Sequence, residues 1–100
     1  MGSKRAPLPY RTDRTKTFEK AWVRINKTGR YDMNAVYQAM NHVASRLPIP
    51  AEYLDHELSH DWAGYRELHV GGDFLLIYKI DTIKDTIIFT ALGTHAELFE

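Results

Sequence analysis

The sequence contains no cysteine, so disulfide bonds, thiol catalysis and cysteine-ligated metal sites are excluded. It also lacks any apolar run near the roughly 20 residues of a membrane-spanning helix, and any charged segment leading into an apolar one at its N-terminus. We therefore expect a soluble, cytoplasmic protein that does not enter a membrane. Glycine-rich phosphate loops, serine-centred nucleophile elbows and paired-glutamate motifs are missing too, which removes the signatures of most enzyme classes.

The length of the chain limits its organisation. Its 100 residues, of which 44% are hydrophobic, suit one compact domain and are too few for two. We therefore predict a single domain over residues 1–100 with one hydrophobic core. Residues 1–7 are small, basic and contain proline, and we expect them to be flexible.

The formal net charge is zero, but the two halves of the chain are oppositely charged. Residues 1–50 carry ten lysines and arginines against three acidic residues, a net +7, and residues 51–100 carry three against ten, a net −7. A basic face made by the first half would suit a polyanion or an acidic protein. The alternative is that the two halves neutralise each other in the fold.

Spacings of three and four residues between apolar side chains predict two helices in the first half. The first helix runs from Thr15 to Gly29, where glycine ends it. The second runs from a capping Asp32 to Leu47, just before Pro48. We expect these two helices to pair as an antiparallel hairpin.

Short β-rich segments surround the two helices. An edge strand is predicted over residues 8–12, a structured loop over residues 51–62, and a last helical turn over residues 94–99. Three further strands follow the loop, over residues 65–70, 74–80 and 86–92. The order β-α-α-β-β-β predicts an α+β fold in which the helical hairpin packs on an antiparallel sheet.

Histidines are the candidate catalytic groups. Four of the five lie in the second half, at or near turns and strand ends: His56, His60, His69 and His95. Imidazole titrates near pH 6.5, so a group of histidines supplies the base and the acid that RNA cleavage by its own 2′-hydroxyl requires. A metal site built from His56, His60 and Asp61 is an alternative. The remaining histidine, His42, is typical of a residue that packs on a helix.

The second half also carries a set of motifs in a fixed order. They are Leu47-Pro48-x-Pro50-x-x-Tyr53-x-Asp55-His56, Trp62-x-Gly64-Tyr65-Arg66-x-x-His69, Asp73-Phe74-Leu75-Leu76-Ile77-Tyr78-Lys79 and Gly93-Thr94-His95-x-x-Leu98-Phe99. In these motifs the chain resembles the YafQ branch of the RelE-like toxins. The resemblance implies a RelE-like fold and the function of a type II toxin, a ribosome-dependent endoribonuclease that cuts messenger RNA in the ribosomal A site.

The resemblance also implies catalytic roles for four residues. His95 would be the principal catalytic histidine, acting as general acid to the leaving oxygen. His56 and His69 would be its companions, one of them helping to remove the 2′-hydroxyl proton. Asp73 would orient a histidine or share protons with it. Such catalysis is independent of metal ions and cofactors.

Binding roles and partners follow from the same resemblance. Arg66 would face phosphate, and Phe99 would hold the messenger near the scissile phosphate. Basic side chains of the first helix would suit ribosomal RNA or an acidic segment of a cognate antitoxin: Lys16, Lys20, Arg24 and Lys27. The implied partners are that antitoxin, the ribosome and messenger RNA, and the toxin–antitoxin complex would bind operator DNA through the antitoxin.

One position departs from the family pattern. Ala91 stands two residues before Gly93, where members of the family usually have arginine. Loss of such a donor costs on the order of a hundredfold in rate, so we expect weakened activity unless Arg66 substitutes. The alternative function is a non-catalytic or disabled relative that acts by binding a protein, either gyrase, as ParE-like toxins do, or an antitoxin.

Overall fold

A five-stranded sheet with three helices makes up residues 8–100, the part of the chain that this computed structural model describes. In chain order the elements are β1 (Arg11–Arg14), α1 (Lys16–Thr28), α2 (Met33–Ala44), β2 (His56–Glu57), β3 (Arg66–Gly71), β4 (Phe74–Asp81), β5 (Thr86–Thr94) and α3 (His95–Phe99). Short 3-10 turns at Ala51–Tyr53 and His60–Trp62 flank β2. The predicted α+β class is confirmed, whereas the predicted flexible residues 1–7 lie outside the described residues.

The first two helices begin where their capping residues predict. The Thr15 side chain accepts a hydrogen bond from the N–H of Phe18, and Gly29 ends α1 in the left-handed conformation with φ of 66°. The Asp32 side chain accepts from the N–H of Asn34 at the start of α2. Within residues 8–100, no helix is long and apolar enough to cross a lipid bilayer.

The end of α2 differs from the prediction, which extended this helix to Leu47. Arg46 has a φ of 63° and stops the helix, and Leu47 is exposed rather than part of the apolar stripe. In this conformation the Arg46 guanidinium lies 3.7 Å from the ring centre of Tyr10, pairs with Asp85 and donates to the carbonyl of Leu8. These three contacts stabilise a backbone conformation that residues other than glycine rarely adopt.

The sheet has the order β1-β5-β4-β3-β2. All pairs from β2 to β5 are antiparallel, as predicted, but β1 lies parallel to β5 and covers Arg11–Arg14 instead of residues 8–12. Thr15, the residue between β1 and α1, donates its N–H to the carbonyl of Phe89 and its hydroxyl to the carbonyl of Thr90. The start of α1 is therefore bound to β5 as well. The predicted loop over residues 51–62 contains β2, which is too short to show a period of two.

The two faces of the sheet have different roles. One face, with Leu68 of β3 and Tyr78 of β4, packs against α1 and α2 to form the main hydrophobic core. Since side chains alternate along a strand, Glu67 and His69 lie on the opposite face from Leu68. The core therefore fixes which face carries the polar groups of β3.

We predict that Thr15→Ala lowers the free energy of unfolding by about 1–2 kcal/mol, because it removes both the helix cap and the bond to β5. Chemical denaturation followed by circular dichroism measures this change. Thr17→Ala, two residues further along the exposed side of α1, is the matched control and changes stability by no more than about 0.5 kcal/mol. Equal effects of the two substitutions would contradict the assigned role of Thr15.

Candidate active site

The carboxylate of Glu67 lies between the rings of His56 and His69. One of its oxygens, Oε2, is 3.3 Å from Nε2 of His56 and 3.4 Å from Nε2 of His69. The two ring centres are 6.3 Å apart, and Glu67 is only 6% exposed. The strands explain this contact, because His56 on β2 pairs with Glu67 on β3, and His69 lies two residues further along β3 on the same face.

Backbone carbonyls hold the other nitrogen of each ring. Nδ1 of His56 is 2.7 Å from the carbonyl oxygen of Leu54, and Nδ1 of His69 is 3.2 Å from that of Gly72. Because a carbonyl can only accept, each Nδ1 carries a proton and donates it. Each Nε2 is therefore the ring nitrogen that faces the carboxylate, so a proton taken up there would lie beside a negative charge.

A second group of predicted residues meets at the start of α3. The backbone N–H of His95 donates to Oδ1 of Asp73 at 3.3 Å, and the ring of Phe99 lies 5.0 Å from the ring of His95. The ring of His95 is mostly exposed, as a group that must reach a bound substrate should be. Asp73 thus orients the backbone of His95, and its proton exchange with a histidine stays a prediction.

The turn between β3 and β4 joins the two groups. Gly72 in this turn accepts from the ring of His69, and the next residue, Asp73, accepts from the backbone of His95. His69 and His95 contact the turn directly, and Asp73 is part of it. His56 is connected to the turn through Glu67 and His69. The structure brings them together at one end of the sheet.

A capping box holds α3 in place. The hydroxyl of Thr94 accepts from the N–H of Glu97, and the Glu97 carboxylate accepts from the N–H of Thr94 and from Arg24 on α1. These bonds lower the pKa of Glu97, the Thr94 N–H having the largest effect. The same carboxylate leaves little space for a side chain at Gly93, where an added Cβ would lie 3.1 Å from Oε1.

The predicted RNA-binding residues of α1 are exposed: Lys16, Lys20, Arg24 and Lys27. Arg24 is bound to Glu97 at 2.8 Å. Lys20 and Arg24 also line a cleft together with Ala91 and Leu98, and Ala91 itself is buried. Two cations of α1 therefore border the position at which the family usually has arginine.

Arg66, predicted to face phosphate, contacts carboxylates instead. Its Nη2 and Nε lie 2.8 and 3.2 Å from Oδ2 of Asp55, and Nη1 lies 3.5 Å from Glu57. The hydrogen bond with Asp55 raises the pKa of this guanidinium above its ordinary value. Contact with phosphate would require Arg66 to leave these partners, so its predicted role as an RNA ligand stays a prediction.

Two other histidines lie apart from this arrangement. His60 lies in the turn His60–Trp62, and His42 packs its ring edge-on against Tyr53 with the centres 5.6 Å apart, in keeping with its predicted packing role. Among residues 8–100, no group of three or more His, Asp or Glu side chains is arranged to hold a metal ion. The alternative of a metal site at His56, His60 and Asp61 therefore gains no support from the geometry.

Sequence reasoning missed Glu67. Its position two residues before His69 in a predicted strand was a usable signal, because residues at that spacing share a face. The contact with His56 had no such signal, since it depends on a two-residue strand inside a segment predicted to be a loop.

The phenol of Tyr78 lies below this site in the main core. It is 1% exposed and donates to Oδ1 of Asp55, and burial is the largest cause of a pKa raised well above the ordinary 10.0. The folded state therefore retains this proton when the unfolded chain loses it. Its stabilising contribution is fully present below the unfolded pKa and is lost as the pH rises through the folded value.

We predict that the free energy of unfolding falls as the pH is raised above about 10, and falls less steeply in Tyr78→Phe, which has no phenol to ionise. Chemical denaturation at a series of alkaline pH values measures both slopes. Tyr37→Phe, at an exposed position on α2, is the control and keeps the slope of the unmodified protein. Identical slopes for Tyr78→Phe and Tyr37→Phe would contradict the prediction.

Comparisons with known proteins identify the family to which this chain is similar. Residues 10–100 match the family of the YafQ bacterial toxin of type II toxin–antitoxin systems. The mRNA interferase toxin YafQ of Escherichia coli strain B is 40% identical over 79 residues, which cover 77% of this chain and 83% of that protein.

Two solved structures have the same fold. The crystal structure of YafQ from E. coli strain BL21(DE3) has a TM-score of 0.81 and 35% identity, covering 91% of this chain and 99% of that one. YafQ in the E. coli DinJ–YafQ toxin–antitoxin complex has a TM-score of 0.80 and 34% identity, covering 93% and 100%. The chain therefore belongs to the YafQ family of bacterial type II toxins.

Proposed function

We propose that this toxin is an endoribonuclease that cuts messenger RNA in the ribosomal A site by acid–base catalysis through histidines. The observation that carries the proposal is the buried Glu67 carboxylate within 3.3 and 3.4 Å of two histidine Nε2 atoms. Two histidines held at one buried carboxylate form an arrangement suited to proton transfer. The E. coli relative of this chain is named an mRNA interferase, which supports the same activity.

The proposed reaction uses the messenger's own 2′-hydroxyl. Its oxygen attacks the neighbouring phosphorus, the bond from phosphorus to the 5′-oxygen breaks, and a 2′,3′-cyclic phosphate and a free 5′-hydroxyl result. One proton must leave the 2′-oxygen and another must reach the 5′-oxygen, so the reaction is balanced without water or metal. A single domain over residues 1–100 with no cofactor would be sufficient for it.

The His56–Glu67–His69 cluster supplies the base in this proposal. One of the two rings takes the 2′-hydroxyl proton on Nε2 and becomes an imidazolium beside the Glu67 carboxylate. A carboxylate this close to the ring stabilises the positive charge of an imidazolium that forms next to it. Both Nε2 atoms contact the same carboxylate oxygen, so either ring is placed to act as the base.

His95 supplies the acid. Its ring at the start of α3 is exposed, with Nδ1 3.7 Å from the likewise exposed Glu100 carboxylate, and Asp73 holds its backbone. Phe99 lies against the same ring and offers an aromatic surface on which a base of the messenger can stack. In this assignment the base contacts Gly72 and the acid contacts Asp73, two neighbouring residues of the turn between β3 and β4.

Cations of α1 are the proposed contacts with RNA phosphate: Lys16, Lys20, Arg24 and Lys27. Lys20 and Arg24, the latter paired with Glu97, line the same cleft as Ala91 and offer positive charge in the absence of the usual arginine. Because exposed lysines stabilise phosphate less specifically than a guanidinium held in a site, we expect lower activity than in relatives that have arginine there.

A toxin of this kind acts in the cytoplasm, where messenger RNA is translated. Its proposed partners are the ribosome, messenger RNA and a cognate antitoxin, in line with the E. coli DinJ–YafQ complex. We further propose that the toxin–antitoxin complex binds operator DNA through the antitoxin.

The first test is induced expression of the toxin beside His95→Ala, with primer extension on a reporter messenger. We expect growth arrest with in-frame cuts from the unmodified chain, and a loss of cleavage of about a hundredfold or more in the variant, because its acid is missing. His60→Asn is the control and retains cleavage, since asparagine tolerates the φ of 56° at this position.

Two outcomes would contradict the proposal. Arrest that persists in His95→Ala without cuts would indicate a toxin that acts by binding a protein such as gyrase. No arrest from any variant would indicate a disabled relative that retains only antitoxin binding.

We predict that Glu67→Gln lowers the single-turnover rate of messenger cleavage on purified ribosomes by about a hundredfold, because the amide cannot stabilise an imidazolium. Glu52→Gln, an exposed position in the turn Ala51–Tyr53, is the matched control and keeps the rate. A rate in Glu67→Gln equal to that of the control would remove the carboxylate from the mechanism.

A further inference from the structure

We propose that Asp55 is a positioning residue that holds His56 against Glu67 by binding β3 and β4 on the core side of the sheet. The inference deepens the proposed function, on which its catalytic consequence rests. Asp55 touches neither Glu67 nor a ring of the cluster in the described contacts; it acts through the backbone of the residue that follows it.

The contacts of Asp55 use both oxygens of its carboxylate. Oδ2 accepts from Nη2 and Nε of Arg66 on β3 at 2.8 and 3.2 Å, and Oδ1 accepts from the hydroxyl of Tyr78 on β4. The Asp55 side chain is 15% exposed and Tyr78 is buried. Charge-assisted bonds in such a setting are stronger than those on an exposed surface.

The register of the sheet shows why these contacts matter for His56. Glu57, Arg66 and Tyr78 are paired in one row across β2, β3 and β4, and His56 pairs with Glu67 in the adjacent row. Consecutive residues point to opposite faces of a strand. Asp55 is therefore held on the core side by Arg66 and Tyr78, while His56 is presented on the catalytic side.

The backbone of this segment requires an anchor. β2 has only two residues, both exposed, and it forms an edge of the sheet. Leu54, whose carbonyl accepts from the ring of His56, has a φ of 53°, a conformation that leucine rarely adopts. Besides the two residue pairs of β2, backbone bonds hold this segment from Leu54 to Ala51 at 3.0 Å and from Leu58 to Tyr65 at 2.9 Å. The Asp55 carboxylate, next to Leu54, adds the side-chain anchor that ties this segment to β3 and β4.

The test is Asp55→Asn, which keeps the shape of the side chain and removes its charge. We expect the ring resonances of His56 to shift in long-range proton–nitrogen NMR spectra of the free toxin, while those of His95 stay unchanged. On purified ribosomes we expect the cleavage rate at saturating substrate to fall between about tenfold and a hundredfold, because small displacements of a catalytic group cost this much. KM stays unchanged, since no contact with RNA is lost.

Asp85→Asn is the matched control, because it also removes a carboxylate that pairs with an arginine, Arg46. Asparagine tolerates the φ of 54° at this position, and the pair has no contact with the histidines. We expect Asp85→Asn to leave the His56 resonances and the cleavage rate unchanged. If Asp55→Asn does not fold, Tyr78→Phe removes only one of the bonds to Asp55, and we expect a smaller shift of His56 and a loss of several-fold in rate.

The NMR and cleavage measurements separate the two proposals. Unchanged His56 resonances in a folded Asp55→Asn or Tyr78→Phe variant would overturn the positioning role, whatever the cleavage rate. If the His56 resonances shift in Asp55→Asn but the unmodified toxin does not cut RNA, the positioning role is confirmed and the proposed nuclease function is contradicted. A rise in KM at an unchanged saturating rate would instead assign Asp55 to substrate binding and overturn the inference.

Discussion

The side-chain alternation of β3 is the constraint on which the rest of the structure depends. Leu68 is completely buried in the core against the helices, so Glu67 and His69 must lie on the other face. A shift of one residue in the pairing of β3 would bury both polar side chains among apolar ones. The core that stabilises the fold therefore also determines where the proposed base is formed.

The sequence predicted the elements whose signals are local. Helix caps at Thr15 and Asp32, the stop at Gly29 and the alternation of β3 are properties of a few neighbouring residues, and the structure has all of them. The predicted end of α2 at Leu47 was wrong, because contacts with Tyr10 and Asp85, which are distant in sequence, hold Arg46 in a conformation that stops the helix. Apolar spacing alone carries no information about such contacts.

The same distinction applies to the site. The resemblance in motifs supplied His56, His69 and His95, but not the way in which they are held. Glu67 and Asp55 act through pairings between strands, and β2 has no sequence pattern of its own because it has only two residues. Residues whose role is to hold others are recognisable only when the register of the sheet is known.

The structure also decides between the two interpretations of the charge asymmetry. Arg24 pairs with Glu97 and Arg46 with Asp85, so part of the basic half is neutralised by the acidic half. Among residues 8–100, no carboxylate lies within ion-pair distance of Lys16, Lys20 or Lys27.

Neutralisation between the halves therefore applies to the paired arginines, whereas the lysines of α1 keep an exposed basic face. The paired arginines fasten α3 and the β4–β5 turn to the helices, and the lysines leave α1 with a positive surface. Two other acidic residues of the second half serve the proposed site: Glu67 faces two histidines, and Asp55 faces Arg66 on the core side of the sheet. A net charge of zero thus conceals a division in which the lysines of α1 face outward and two carboxylates hold the residues of the proposed site.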